Sequence, residues 1–278
     1  VLLCGLPLSA LLQAAEMPLS VMSFNIRNGK ARDGENHWDR RREFVVDVIR
    51  DFDADVVGLQ EAFRFQLDFM GPALPDFGEV GEGRDGGRVG EYSAILYRRD
   101  RFEVKNSGTF WLSDTPEKPS ASWGNTWLRI CTWARLAEKE TGRAFYVFNT
   151  HLDHRSQVSR EKGVRLIAER IAGRAHSDPV ILTGDFNAAE DNPVITYFTK
   201  AGAKPVAMVD SFRVVHPNEE IVGTGGGFRG RRDGPKIDYV FVEPGTRVSE
   251  AMIIRIERDG RWPSDHFPVV ARLHLQAK

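Results

Sequence analysis

The hydrophobic pattern of this chain is a series of short apolar runs that stop abruptly on polar residues. Val180-Ile181-Leu182 halts at Thr183-Gly184-Asp185-Phe186-Asn187. A short apolar run bounded by turn formers has the pattern of a buried strand. The same pattern predicts strands at residues 19–26, 55–61, 92–97, 109–112, 126–136, 143–148, 237–242 and 269–275. Two segments show helical spacing instead. One covers 39–51, with Phe44, Val45, Val48 and Ile49 on one face and Phe52 just beyond. The other covers 156–175, with Val164, Ile167, Ala168 and Ile171 as its stripe and Ser156 as N-cap. Loops are expected at 81–90, 113–125 and 211–236, and no heptad, repeat or interdomain linker interrupts the series. Strands outnumber helices, and the two helices lie far apart in the chain. Two packed sheets with helices outside, an α/β architecture, bury such a pattern.

The polar ends of these runs are Asn25, Glu61, His151, Asp185 with Asn187, Asp238, and Asp265 with His266. Gly184 is expected to let the backbone turn and approach a neighbour. Asp185 and Asn187, two residues apart, would share one face of an extended chain. Taken singly, each position has an ordinary explanation: an Asx turn at Asp185, a turn at Asn25 or Asp265, an arginine partner for Glu61, a core imidazole at His151, a surface acid at Asp238. Their recurrence at strand after strand favours one shared site, because a strand end holds a side chain rigidly beside a cleft. Carboxylates and amide oxygens without cysteine select Mg²⁺ or Mn²⁺ over zinc. With two histidines beside them, such a set suits in-line attack of water on a phosphoester.

Composition narrows the picture. The 278 residues, 41% hydrophobic and 28% charged, fit an ordinary globular protein of one large domain or two small ones. A formal net charge of −1 gives no global electrostatic case for nucleic acid or an anionic membrane. Residues 1–15 carry no charge and are too short to span a bilayer. They read as the apolar region and small-residue end of a secretory signal, which would place residues 16–278 in the periplasm or outside the cell. Cys131 would then be the sole cysteine of the mature chain, without an internal disulfide. Gly81-x-Gly83-x-x-Gly86 matches the dinucleotide fingerprint literally but lacks its strand-turn-helix setting.

Six stretches together resemble the endonuclease/exonuclease/phosphatase superfamily: Met22-Ser23-Phe24-Asn25, Gln60-Glu61, Asn149-Thr150-His151-Leu152, Gly184-Asp185-Phe186-Asn187, Ile237-Asp238-Tyr239-Val240-Phe241 and Ser264-Asp265-His266-Phe267-Pro268. They appear in the family's order and span nearly all of 16–278. The resemblance implies a four-layer α/β sandwich of two mostly antiparallel sheets packed face to face. It implies that Asn25 and Glu61 hold the metal with Asp265 nearby, and that Asp185 and Asn187 position and activate water. Asp238 would orient His266 and favour its protonated form, while His266 and His151 contact the phosphate. Asn36-x-Trp38-x-x-Arg41-Arg42 and the 129–136 segment resemble a bacterial branch similar to deadenylase-type catalytic domains, with Arg129 and Arg155 as candidate phosphate contacts. The expected partner is a phosphoester substrate, nucleic acid being one class the superfamily serves, and the expected state is a monomer without an integral membrane segment.

Two other readings compete. His151-Leu152-Asp153-His154 matches the second half of a metallo-β-lactamase-type zinc signature, but position 149 is Asn where the first histidine should stand. The basic stretch from Arg229 to Lys236 could be a nucleic-acid patch on a non-catalytic binding protein, although Asp233 interrupts it.

Overall fold

The computed structural model describes residues 16–200 and 202–276, so the signal-like stretch at 1–15 lies outside the described residues. Three separate apolar cores divide the fold into four layers. The middle core lies between two six-stranded sheets and is built from alternate residues of their strands, such as Val21, Val56, Val147, Ile181, Val240 and Leu273. The intervening residues face outward into two further cores. Met22, Val57 and Leu59 meet helix α1 (Trp38–Phe52), and Phe148, Leu182 and Phe241 meet helix α3 (Gln157–Ala172). Strands covered on both faces need apolar residues at every position, which is why their sequences read as unbroken runs.

The first sheet has the order β13 (Arg247–Ile253), β14 (Val269–Leu275), β1 (Met17–Asn25), β2 (Val56–Gln60), β6 (Ile95–Arg98), β4 (Phe77–Val80). The second has β11 (Val209–Asp210), β12 (Asp238–Val242), β10 (Val180–Asp185), β9 (Ala144–His151), β8 (Ile130–Glu138), β7 (Phe102–Trp111). Each sheet is antiparallel except for one central parallel pair, β1 with β2 and β9 with β10. Both pairs are joined by a helical crossover, α1 and α3, as parallel neighbours require. The sheets therefore share one strand pattern although the sequence shows no repeat. A third, two-stranded sheet pairs β3 (Ala62–Phe63) with β5 (Glu91–Tyr92).

The sheets approach closely near one point. A Cβ on Gly58 of β2 would fall 2.2 Å from Thr183 Oγ1 and 2.7 Å from Asn149 Oδ1, so only glycine fits there. Asn149, fully buried, stitches the sheets together. Its Nδ2 donates to the carbonyls of Leu59 at 2.8 Å and Ala94 at 2.9 Å, and its Oδ1 accepts from Gln60 Nε2 at 2.7 Å and Thr183 Oγ1 at 3.0 Å. Four partners satisfy the whole amide, which is what a buried polar side chain between two apolar faces requires.

Some elements differ from the pattern-based expectation. Helices α2 (Arg64–Ala73), α4 (Pro193–Thr199) and α5 (Ser211–Val215) join the two expected ones. The strand expected at 92–97 is broken between β5 and β6, and β7 begins at Phe102 as an edge strand that is largely polar. Residues 126–129 are not strand; β8 starts at Ile130. Ser156 does cap α3, its side chain accepting from Ser159 N at 3.1 Å. Among the described residues no helix is long and apolar enough to cross a membrane.

Asn149→Ala should cost about 3 kcal/mol of stability, because it strands buried groups of both sheets at once. Urea unfolding monitored by fluorescence measures this, and a loss below about 1 kcal/mol would contradict the inter-sheet role.

Candidate active site

Strand register builds the site. In the second sheet His151 pairs with Asp185 across the parallel ladder, and Asp185 pairs with Asp238 across the antiparallel one. Three neighbouring strands thus present His151, Asp185 and Asp238 in one row. In the first sheet Asn25 pairs with Gln60, Glu61 follows directly, and Ser23 pairs with Val269, just after the Asp265-His266 turn. The two rows meet at Asp185. Asn25 Nδ2 donates to Asp185 Oδ2 at 3.0 Å and to Glu61 Oε1 at 3.1 Å. His151 Nε2 lies 3.5 Å and His266 Nε2 3.9 Å from the same Asp185 oxygen. His266 Nδ1 is bonded to Asp238 Oδ2 at 2.9 Å. Asp238 is held in turn by its backbone N–H, which donates to Thr224 Oγ1 at 3.2 Å.

Local backbone places several of these groups at a cost. Arg27, Glu61 and Asn187 are all left-handed, with φ of 60°, 60° and 48°. Non-glycine residues pay roughly 1–2 kcal/mol for that conformation, and such strain gathers where surrounding structure fixes a functional side chain. Glu61 is held by Asn28 N at 2.8 Å on its second oxygen. Contrary to expectation, Asn187 does not lie alongside Asp185 by strand alternation. The strand ends at Asp185, whose Oδ1 accepts from Asn187 N at 2.9 Å in an Asx turn, and Asn187 Nδ2 donates to Leu152 O at 3.1 Å. Gly184 serves close approach rather than turning: a Cβ there would meet Thr150 O at 2.5 Å.

The electrostatics are those of a dry, acid-rich pocket. Burial, with the neighbouring Asp238 carboxylate, pushes Asp185 up to about 7. Burial, with Glu61 nearby, also raises Asp265, although Arg27 Nη1 approaches it at 3.5 Å. Burial and the Arg129 charge hold His151 well below the ordinary imidazole range. For His266 burial again opposes the charge, but the Asp238 carboxylate, its hydrogen bond, and Asp185 and Asp265 outweigh it, raising the imidazole well above that range. Asp238 Oδ1 is buried without a hydrogen-bond partner. Buried carboxylates short of positive charge fit a divalent cation, and an all-oxygen set fits a hard one. Asp185, Asp238 and His266 also present ligand atoms within 4.8 Å of one another, but the His266–Asp238 hydrogen bond engages two of the three groups. As placed, Asn25 turns its amide nitrogen to the carboxylates while its Oδ1 accepts from Arg27 N at 3.0 Å, so a metal-ligand role for Asn25 requires a half-turn of the amide.

Of the sequence-predicted residues, Asn25, Glu61, His151, Asp185, Asp238, Asp265 and His266 come together. Asn187 adjoins them through its turn. Arg129 is buried beside the site, 3.6 Å from Asp153 Oδ2 and 3.0 Å from His154 Nδ1. Arg155 is exposed, its backbone N–H donating to Asp153 Oδ1 at 2.9 Å, and the structure does not join its side chain to the cluster. Arg27, Asn28, Arg84 and Glu91 also stand beside the site, outside the motifs that nominate the others. The adjacency of Arg27 and Asn28 to the Asn25 motif was the available signal.

The zinc reading fails on geometry. Asn149 is a core stitch, His151 faces Asp185, and His154 lies instead on Arg129. The basic patch is thinner than its sequence suggests: Lys236 is buried on Asp210 at 2.6 Å and Arg231 pairs with Asp233, which leaves Arg229 and Arg232 exposed. The glycines before that stretch pack on the Asp265-His266 turn: Gly225 bridges to His266, and Gly227 N donates to Asp265 O at 2.8 Å.

Fold and site together fit a phosphoric ester hydrolase domain with room for a divalent cation. The family model for the Endonuclease/Exonuclease/phosphatase family matches residues 22–266, and the chain belongs to that family. A family member from Bacteroides thetaiotaomicron superposes with a TM-score of 0.85 at 34% identity, covering 93% of this chain and 98% of that one. The mannosyl-6-phosphatase of Bacteroides thetaiotaomicron VPI-5482 superposes with a TM-score of 0.83 at 34% identity, covering 92% of this chain and 99% of that one. Nocturnin of Drosophila melanogaster is 27% identical over 290 residues, 86% of this chain and 42% of Nocturnin. The chain spans about half the length of the curated relatives it matches.

His266, with its pKa raised in the fold, keeps its proton through neutral pH. Its contribution to stability is full below the unfolded value of 6.5 and is lost as pH rises through the folded value. In Asp238→Asn the largest support for that charge disappears, so the His266 proton should leave at a lower pH. NMR titration of the His266 ring protons measures the midpoint, and an unmoved midpoint would separate Asp238 from this role.

Proposed function

We propose that this protein hydrolyses small phosphate esters, with Mg²⁺ or Mn²⁺ held by Glu61, Asp265 and the amide oxygen of Asn25 after its half-turn. The observation that carries the reading is the convergence of His151 and His266 on the Asp185 carboxylate, at 3.5 and 3.9 Å. A bound divalent cation polarises the phosphoryl oxygen and offsets the leaving-group charge. The side chains do the rest. Asp185, fixed by Asn187 N and faced by both imidazoles, orients the attacking water and takes its proton. His266, charged and steered by Asp238, donates to a phosphoryl oxygen. His151, neutral, donates a second hydrogen bond without adding positive charge. A pocket of this kind stabilises charge that builds up on phosphate oxygens as the P–O bond breaks.

The likeness to a mannosyl-6-phosphatase over nearly its full length supports a sugar phosphate monoester as the first substrate to test. The near-zero net charge supports a small substrate over a long nucleic acid, whose binding would call for a basic track. Export, supported by the uncharged stretch at 1–15, is proposed as its location; N-terminal sequencing of the exported product should find that stretch removed.

Chelation should abolish phosphoester turnover, and Mg²⁺ or Mn²⁺ should restore it. Asp185→Ala and Glu61→Gln should each lower kcat/KM by about 10²–10⁴-fold in the presence of metal. Release of inorganic phosphate measures both effects. Undiminished turnover after chelation, or in Asp185→Ala, would overturn the assignment.

A further inference from the structure

Beyond His151 the cleft continues into a polar annex that the chemistry above does not use. A small cavity there is lined by Arg84, Glu91, Ser93, Arg129 and His151. Arg84 Nη1 donates to Glu91 Oε2 at 2.6 Å, and Glu91 Oε1 accepts from Asn28 Nδ2 at 3.0 Å. The backbone N–H of that same Asn28 holds Glu61, so the annex and the metal-side carboxylate share a support. Arg84 Nε is buried without a hydrogen-bond partner, and Arg129 Nε and Asp153 Oδ2, also without one, face each other across 3.6 Å. Unmet buried donors and acceptors are rare in folded proteins and mark places where a ligand or water completes the set.

Trp127 stands over this annex. The Arg84 guanidinium lies 5.3 Å from its ring centroid, yet the indole is 52% exposed. It follows the 113–125 loop, while Arg84 comes from the glycine-rich 81–90 loop. The two loops touch at Gly86, where a Cβ would fall 3.2 Å from Pro119. The apolar cost of holding an indole half in water is repaid when a flat ligand face covers it.

We propose that Trp127, Arg84 and Glu91 form a leaving-group subsite for the pyranose ring of a sugar phosphate monoester. This rests on the hydrolase reading above and assigns the residues that select its substrate. A carboxylate locked against a guanidinium offers an acceptor and donors side by side, which matches adjacent hydroxyls of a sugar. The exposed indole face matches the C–H face of the ring. Arg84 and Arg129 are balanced by Glu91 and Asp153, so the annex suits a neutral group better than a second phosphate. In the reaction the water oxygen ends on phosphorus and the P–O bond to the sugar breaks. The sugar oxygen takes up a proton, giving free sugar and inorganic phosphate.

The test is steady-state kinetics of the full chain with Mg²⁺ on a hexose 6-phosphate, glycerol phosphate, a nucleoside 5′-monophosphate and a single-stranded oligonucleotide. The wild type should prefer the hexose 6-phosphate. In Trp127→Ala the ratio of kcat/KM for hexose 6-phosphate over glycerol phosphate should fall about tenfold, chiefly through KM. Trp127→Phe, which keeps a ring, should recover most of the ratio. An unchanged ratio in Trp127→Ala would overturn the subsite. So would a wild-type preference for the nucleotide, which leaves the hydrolase reading intact, or for the oligonucleotide, which also overturns its small-substrate part. If the wild type with metal cleaves none of the four, both readings fall together.

Discussion

Asn25 and Asp185 stand at the ends of central strands in opposite sheets, and the 3.0 Å hydrogen bond between them joins the two halves of the site. Sheets packed through apolar faces cannot carry polar groups in their middle without full pairing. Asn149 meets that demand, its amide fully matched between the layers by a cluster that includes Gln60 and Thr183. Chemistry is therefore confined to one rim, where the strands run out and the backbone turns. The parallel pairs β1/β2 and β9/β10 bring strand ends of like direction side by side at that rim. Antiparallel β12 and β14 deliver Asp238 and the Asp265-His266 turn to it from the opposite direction.

The rim gathers more negative charge than a dry pocket tolerates. Asp185 and Asp265 are both pushed toward the protonated form by burial, and the Asp238 carboxylate is offset by His266. Such a site is short of positive charge, which suits a hard cation. The same imbalance divides the imidazoles. His266, beside carboxylates, stays charged, and His151, beside Arg129, stays neutral. Two histidines of identical intrinsic chemistry thus take different tasks because their neighbours differ.

How much of this was legible in the sequence depends on the kind of residue. Buried strands such as β1 and β10 declared themselves, because double-sided burial demands apolar residues without a break. Helices α1 and α3 were legible from their stripes, and α3 from the Ser156 cap. Helix α2 was not, since Gly71 and Pro72 sit near its end and mimic a loop. Strand β7 was only partly legible, because its first half is an exposed edge with few apolar residues. Catalytic acids and histidines could be nominated from their positions at strand ends. Arg84, Glu91 and Asn28 could not, because they come from loops whose course no periodicity specifies.

The sequence by itself determined which segments would be buried and which residues would end them, since burial and turn formation depend on local composition. It also determined the chemical class of the site through its oxygen donors and imidazoles. Only the tertiary structure decided that His151, Asp185 and Asp238 form one row, because that depends on which strands pair and in what register. It alone decided that the Asn187 amide reaches the Leu152 carbonyl, and that Asn149 joins the sheets. Both are consequences of groups hundreds of atoms apart along the chain being forced to satisfy each other's hydrogen bonds in a space closed to water.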